Sequence, residues 1–373
     1  MSDPSADSYA LKSQAPAEIA APDLPYPPPM PSTLKPRIGV IGAGGIVAAH
    51  LDAYRSAGWT VAAICDRTLA KAAAKAAEFA PANGLAARVT TRWQDLLDDP
   101  GIDVLDITTH PADRLPLIDA ALKAGKHVLS QKPFVLDLDQ GEALVRLARD
   151  NAVKLAVNQN GRWAPHLSYI RHAVAAGLIG DLISAHVAIH WNHGWIAGTR
   201  FERTQPLILY DFGIHWFDFV ASLVGQRATS VFATATRATG QTAAVPLLSQ
   251  ALIRMDHGQA SLIFDGAAPY GPCDTTYVAG TLGSLASTGP DLGSQSVTLT
   301  TAAGRARPVL HGTWFNDGFR GAMGALLVAI ENNTEPANGA AENLHSLALA
   351  FAAIQSARTG VEVAVGAARR LVL

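Results

Sequence analysis

From residue 37 to residue 158 short apolar runs alternate with longer stretches of helical period. The runs fall at residues 37–41, 61–65, 89–91, 104–108, 127–130 and 155–158, with Ala-rich or Leu-rich segments between them. Strands buried on both faces read as continuous apolar runs, so this rhythm predicts βαβ units and a parallel sheet. Beyond residue 158 the pattern changes. Residues 167–176 read as a helix and 183–191 alternate like a strand. Runs at 231–236, 250–255, 260–264, 276–278 and 297–300 are parted by Gly, Pro and Asp, which predicts a mainly antiparallel sheet. Two late helices, 319–332 and 341–359, are expected to cover one of its faces. The fold class is α/β, and 373 residues suit two domains, divided near residue 157.

Residues 1–36 break this pattern, with five prolines between Pro25 and Pro31 and no apolar face. Such a segment cannot bury enough to fold alone and by itself would be a disordered tail. Ordered, it is expected to lie extended along a neighbouring subunit, where prolines lower the entropy lost on docking.

Composition narrows the function. Hydrophobic residues make up 49% and charged residues 16%, the balance of a well-buried globular chain. A formal charge of -2 without a dense Lys/Arg cluster argues against nucleic acid as a partner. No apolar run approaches the ~20 residues of a membrane span. Two cysteines, Cys65 and Cys273, do not make a disulfide framework, so a reducing cytoplasm is the expected compartment.

The first run ends in Gly42-Ala43-Gly44-Gly45-Ile46-Val47 and is followed by a helical stretch. Glycine at 42 permits a tight turn. Glycine at 44 lets the backbone approach a pyrophosphate held by amides at the helix start. The third fingerprint position is Val47 rather than Gly or Ala, which implies looser strand–helix packing. The second run ends in Asp66, 24 positions after Gly42, where an acid can accept hydrogen bonds from an adenosine ribose. This defines a doubly wound Rossmann sheet. The negative Asp66 favours NAD, while the adjacent Arg67 leaves NADP open, because it could pair a 2′-phosphate.

In the second half, residues 210–225 carry two apolar stripes at 3.6-residue period. A third stripe holds Asp211, His215, Asp218 and Ser222. Ionisable groups on a nearly all-apolar helix need partners, so this stripe is expected to face a polar pocket. A core histidine held by Asp211 is the blander alternative. A metal site is a third, which no HExxH or Cys/His cluster supports, and no metal is assigned.

The three segments Gly42-Ala43-Gly44-Gly45-Ile46, Ala124-Gly125-Lys126-His127-Val128-Leu129-Ser130-Gln131-Lys132-Pro133 and Asp211-Phe212-Gly213-Ile214-His215 together resemble the glucose-fructose oxidoreductase and inositol dehydrogenase (Gfo/Idh/MocA) family. The likeness runs from about Pro36 to the C-terminus. It implies a Rossmann domain over residues 37–157, then an α/β domain with an open, mainly antiparallel sheet over 158–373, serving substrate binding and oligomerisation. Lys132 matches the lysine of the family's Glu-Lys-Pro motif, and Asp211 and His215 match its catalytic Asp and His. Asp218, with His190 and Asn192, matches positions that touch polyol in inositol dehydrogenases. Gln131 replaces the usual Glu, Thr109-His110-Pro111 differs from the common Thr-Pro, Arg114 stands where His is frequent, and Gly161 precedes Arg162-Trp163 where a second basic residue is common.

The resemblance implies oxidation of a secondary alcohol on a sugar, glycoside or cyclitol, or reduction of the ketone. His215 would act as base with Asp211 orienting it, and Lys132 would stabilise the alkoxide. Gly42, Gly44, Gly45, Ile46, Asp66, Arg67, Thr108, Thr109, His110, Gln131 and Lys132 are the expected cofactor contacts. His190, Asn192, Trp195, Asp218 and Arg162 are the expected substrate contacts. A homo-oligomer, dimer or tetramer, is expected. The rivals are a glycosidase that oxidises transiently with NAD and a non-catalytic nucleotide-binding protein on the same fold.

Overall fold

A computed structural model describes residues 16–80, 84, 86–204 and 206–371, so the first part of the arm, 1–15, lies outside the described residues. The chain opens with β1 (Arg37–Ile41), α1 (Val47–Ala57), β2 (Thr60–Cys65), α2 (Leu69–Glu78), β3 (Arg88–Thr90) and α3 (Gln94–Leu97). It continues through β4 (Val104–Ile107), α4 (Pro111–Lys123), β5 (His127–Gln131), α5 (Leu138–Asp150) and β6 (Leu155–Asn158). The six strands are parallel, in the order β3-β2-β1-β4-β5-β6. The order reverses between β1 and β4, and such a reversal opens a crevice beyond the strands' carboxyl ends.

The chain then enters α6 (Pro165–Ala175), β7 (Leu182–His190) and α7 (Ile214–Val224). A run of strands follows: β8 (Ala228–Thr236), β9 (Leu248–Met255), β10 (Gln259–Asp265), β11 (Cys273–Gly280), β12 (Gly283–Asp291), β13 (Ser294–Thr301) and β14 (Gly304–Ala306). Helices α8 (Asn316–Asn332) and α9 (Ala340–Thr359) and the short β15 (Val363–Ala364) complete it. The second sheet has nine strands in the order β14-β13-β12-β11-β7-β10-β9-β8-β15. Only the β7–β10 pair is parallel. This is the open, mainly antiparallel sheet expected.

Two features depart from the sequence reading. β12 carries few large apolar residues and is built by pairing with β11 on one side and β13 on the other. The late helices do not share one face: α9 packs on β8 and α7, while α8 returns to the first sheet. Phe319, Met323, Leu326 and Leu327 of α8 join Ile38, Val40 and Leu51 in one core. The division near residue 157 is therefore one of sequence, and α8 ties the two halves together.

The arm's described residues lie along their own chain. Ile19 donates to the Arg305 carbonyl and Arg305 donates back to Ala17, extending the β14 edge. The Tyr26 carbonyl accepts from Ser168 Oγ at 2.7 Å. The amides of Ser32, Thr33 and Leu34 all donate to the Glu331 carboxylate on α8. At Gly324 an added Cβ would lie 2.0 Å from the Pro29 carbonyl oxygen, so α8 has a glycine where the arm crosses it.

Candidate active site

The glycine loop joins β1 to α1. Gly42 has φ +110° and its added Cβ would sit 2.7 Å from Thr108 Oγ1, so both conformation and space require glycine there. Added Cβ atoms at Gly44 and Gly45 would meet nothing within 4 Å: the loop faces open space. Helix α1 has no side-chain cap and no acid in its first turn, so no side chain competes with an anion at its start. Asp66, just past β2, accepts from the amides of Ala43 at 2.9 Å and Thr68 at 2.8 Å, and so braces the loop. Arg67 is exposed beside it. Thr108 Oγ1 donates to the Gly42 carbonyl from below, Thr109 Oγ1 is buried without a partner, and the His110 ring caps α4 by accepting from Ala112. An open glycine cradle, a helix start without a side-chain cap and an unpartnered hydroxyl at the switch point fit a dinucleotide.

Arg114 gives this end of the sheet its rigidity. Its buried guanidinium donates to the carbonyls of Thr109, Gln131 and Pro133, tying the end of β4 to the end of β5. Burial brings its pKa down to about 10, still charged at neutral pH. At the last position of β5, Gln131 Oε1 accepts from the Lys132 amide and from Asn158 Nδ2. Its amide nitrogen replaces the second carboxylate oxygen of the family's Glu.

Lys132 reaches across to the second half of the molecule, where its Nζ donates to the Asp211 carbonyl at 2.8 Å and lies 3.4 Å from Oδ1. Asp211 and His215 do not sit on one regular helical stripe. Residues Ile208–Phe212 form a π-helical turn closed by Gly213 N–H to the Ile208 carbonyl, and α7 starts only at Ile214. The wider turn shifts Asp211 out of phase with His215. Consequently Asp211 holds Lys132 instead of orienting His215, whose Nδ1 is buried without a partner beside Gly161. Burial, helped by the Lys132 cation, pushes His215 well below the ordinary imidazole range.

The rest of the expected stripe faces elsewhere. Asp218 is buried and forms a two-point ion pair with Arg162, at 2.6 and 2.9 Å, and also accepts from Ser346. Ser222 accepts from Arg171. Asp218 and Arg162 therefore join α7 to the segment after β6 and to α9. The sequence reading expects both at the substrate; in the structure each charge meets a buried counter-charge, and neither lines the cavity described next.

One cavity of about 200 Å³ collects Ile46, Gln131, Lys132, Asp211 and His215. Trp195 lines it, half-exposed at its rim. His190 and Asn192 do not: His190 lies 3.7 Å from Asp265, and Asn192 accepts from the Gly194 amide in a local turn. His193, the next residue, takes the wall instead, with Asn160, Phe212, Trp314 and Phe315. The sequence reading missed His193. Strand β7 ends at His190, so strand alternation no longer says which side chain points where. Among the described residues no group of three or more His, Cys, Asp or Glu side chains is placed to hold a metal ion.

Sheet order, glycine cradle and a lysine at the end of β5 define an oxidoreductase of the NAD-binding Rossmann class. The chain belongs to the Gfo/Idh/MocA family: residues 36–159 match its "Oxidoreductase family, NAD-binding Rossmann fold" and residues 167–286 match its "GFO/IDH/MocA C-terminal domain". Inositol 2-dehydrogenase of Rhizobium meliloti (strain 1021) is 29% identical over 328 residues, 86% of this chain and 96% of that protein. 1,5-Anhydro-D-fructose reductase of Ensifer adhaerens is 27% identical over 333 residues, 87% and 97% of the two chains. The crystal structure of an oxidoreductase from Agrobacterium radiobacter, in complex with NAD+, L-tartaric acid and magnesium, shares the fold. Its TM-score is 0.79 at 21% identity, over 90% of this chain and 99% of that one.

Proposed function

We propose that the protein is an NAD-dependent dehydrogenase that oxidises a secondary alcohol of a sugar, glycoside or cyclitol, or reduces the corresponding ketone. The observation that carries this is the joining of Lys132, Asp211 and His215 with Ile46 of the glycine loop around one cavity. The dehydrogenase and reductase named among its relatives act on a cyclitol and an anhydro sugar, which supports the substrate class. Gly42, Gly44, Gly45 and the start of α1 would hold the pyrophosphate, with Asp66 at the adenosine ribose and Gln131 and Lys132 toward the nicotinamide. When bound, NAD supplies the carbon that accepts hydride.

The protein's own groups manage charge and protons. Lys132, fixed by the Asp211 carbonyl and carboxylate, presents its ammonium where an alkoxide develops. His215, kept neutral by burial, is free to take the hydroxyl proton. Asp211 serves the base indirectly, by setting the position of Lys132.

Asp66 favours NAD over NADP, because a 2′-phosphate would meet its carboxylate. Calorimetry should show tighter binding of NAD, and Asp66→Ala should narrow the gap; equal or tighter wild-type NADP binding would assign the role to Arg67. We also propose a homo-oligomer in the cytoplasm. The outer face of the second sheet exposes Phe232, Leu252, Ile263 and Tyr277, an apolar surface suited to a second copy, and neither cysteine is paired. Light scattering giving a monomer mass would overturn the oligomer.

The activity test is a panel of polyols, aldoses, glycosides and anhydro sugars with NAD, read at the reduced-nicotinamide absorbance. Growth of that band with at least one member is expected. No reduction by any, with NAD demonstrably bound, would overturn the reading.

A further inference from the structure

Once Lys132, Asp211, His215 and Gln131 are assigned to chemistry and cofactor, the cavity keeps few polar groups for recognising a substrate. Its polar walls are completed by Asn160 and His193. The remainder is largely aromatic, with Trp195, Phe201, Phe212, Trp216, Trp314 and Phe315. Asp218 and Arg162, which might have met further hydroxyls, are committed to each other.

His193 is unusually well defined for a loop residue. The Trp191 indole N–H donates to its Nδ1 at 2.9 Å. Indole nitrogen is a donor only, so Nδ1 must be the unprotonated acceptor and the neutral ring carries its proton on Nε2. Trp191 is itself fixed, stacked on Phe212 with ring centroids 4.2 Å apart. The Phe212 and Trp195 rings meet His193 edge to face at 5.2 and 4.9 Å. Burial outweighs the opposing pull of Asp211 and, with a smaller contribution from Lys132, takes the imidazole to about 4, so it stays neutral in the working range. The result is an oriented N–H in a nearly apolar wall.

We propose that His193 Nε2–H is the hydrogen bond that positions the substrate, and that the aromatic walls select a sugar derivative with an apolar flank, such as a glycoside or an anhydro sugar, over a fully hydroxylated ring. A cyclitol would set several hydroxyls against rings that cannot pair with them, and each would lose its water without a replacement hydrogen bond. An anhydro bridge or an O-alkyl group presents C–H surface there instead, which aromatic faces accept. This inference rests on the dehydrogenase reading above.

The test uses the intact protein with saturating NAD and compares initial rates on methyl β-D-glucopyranoside and 1,6-anhydroglucose with those on myo-inositol. At least one of the first two should exceed myo-inositol in kcat/KM by tenfold or more. On the better substrate, His193→Ala should raise KM roughly three- to tenfold, the worth of one neutral hydrogen bond, with a smaller change in kcat. His193→Gln, whose amide can donate, should recover most of the loss. Trp191→Phe should raise KM similarly, because the ring is then free to take the other tautomer. NAD affinity should be unchanged in all three, which separates a substrate contact from a damaged fold. Preference for myo-inositol, or His193→Ala with wild-type KM, would overturn the inference while leaving a dehydrogenase. Failure of all three compounds to reduce bound NAD would overturn it together with the dehydrogenase reading.

Discussion

The fate of each polar residue near α7 depends on whether the fold gives it a counter-charge. Asp218 has one: Arg162 meets it at two points in a site from which water is excluded. Removing one partner of such a pair strands the other charge, at a cost on the order of 3 kcal/mol. Asp218→Asn should therefore lower the urea midpoint markedly and leave the KM of the remaining folded protein near wild type; a large KM change at unchanged stability would restore Asp218 as a substrate contact. His215 has no counter-charge, only Lys132 nearby, and both burial and that cation disfavour its protonation. A base so depressed is still unprotonated when pH falls through the ordinary histidine value of about 6.5. For alcohol oxidation, kcat/KM should hold level from pH 7 to below 6, and a fall centred near 6.5 would show an imidazole in contact with water. None of this was legible at residue scale. The Arg162–Asp218 pair spans 56 positions, and Gln131, Lys132 and Asp211 could be brought together only by family likeness.

Among the elements, the first sheet was the most legible, because strands buried within a parallel sheet leave unbroken apolar runs such as residues 61–65 of β2. β12 was not, since its small polar residues follow from having a partner on each side rather than from a pattern of their own. The π turn at Ile208–Phe212 was hidden for a similar reason: the helical period read over residues 210–225 runs straight through its end, and only the Gly213 amide's bond to Ile208 reveals the wider turn. Glycine is needed there, because an added Cβ would lie 2.7 Å from the Ile208 carbonyl oxygen and 3.1 Å from the Phe264 ring. Gly213→Ala should cost about 1–3 kcal/mol through overpacking. It should also slow turnover, since the turn carries Asp211 and, through it, Lys132. Wild-type activity in a destabilised Gly213→Ala protein would mean that the turn does not set the lysine's position.

At the scale of the molecule, α8 and the arm turn two sequence domains into one packed body, and the active site lies along the seam they close. Burying so many neutral imidazoles has a consequence for acid stability. His166 is brought to about 3 and His193 to about 4, both chiefly by burial, and His215 is likewise depressed. Unfolding releases these rings to protonate near 6.5, so below that pH the unfolded chain takes up three more protons. Asp274 works the other way, because burial raises its carboxyl to about 7 and the folded chain holds a proton that the unfolded chain loses. Among these four groups the balance favours the unfolded state by about two protons between pH 6 and 5, and His110, His127 and His172, also lowered chiefly by burial, add to it. The unfolding free energy should then drop by at least about 3 kcal/mol over that unit, and a flat profile in urea titrations would contradict it. The central claim, that Lys132 and His215 act at the reacting carbon, is tested most directly by single-turnover hydride transfer with saturating NAD and the alcohol that the panel identifies. Lys132→Met and His215→Ala should each slow that step roughly 10²- to 10⁴-fold while NAD binds within a few-fold of wild type. Near wild-type rates in both variants would contradict it.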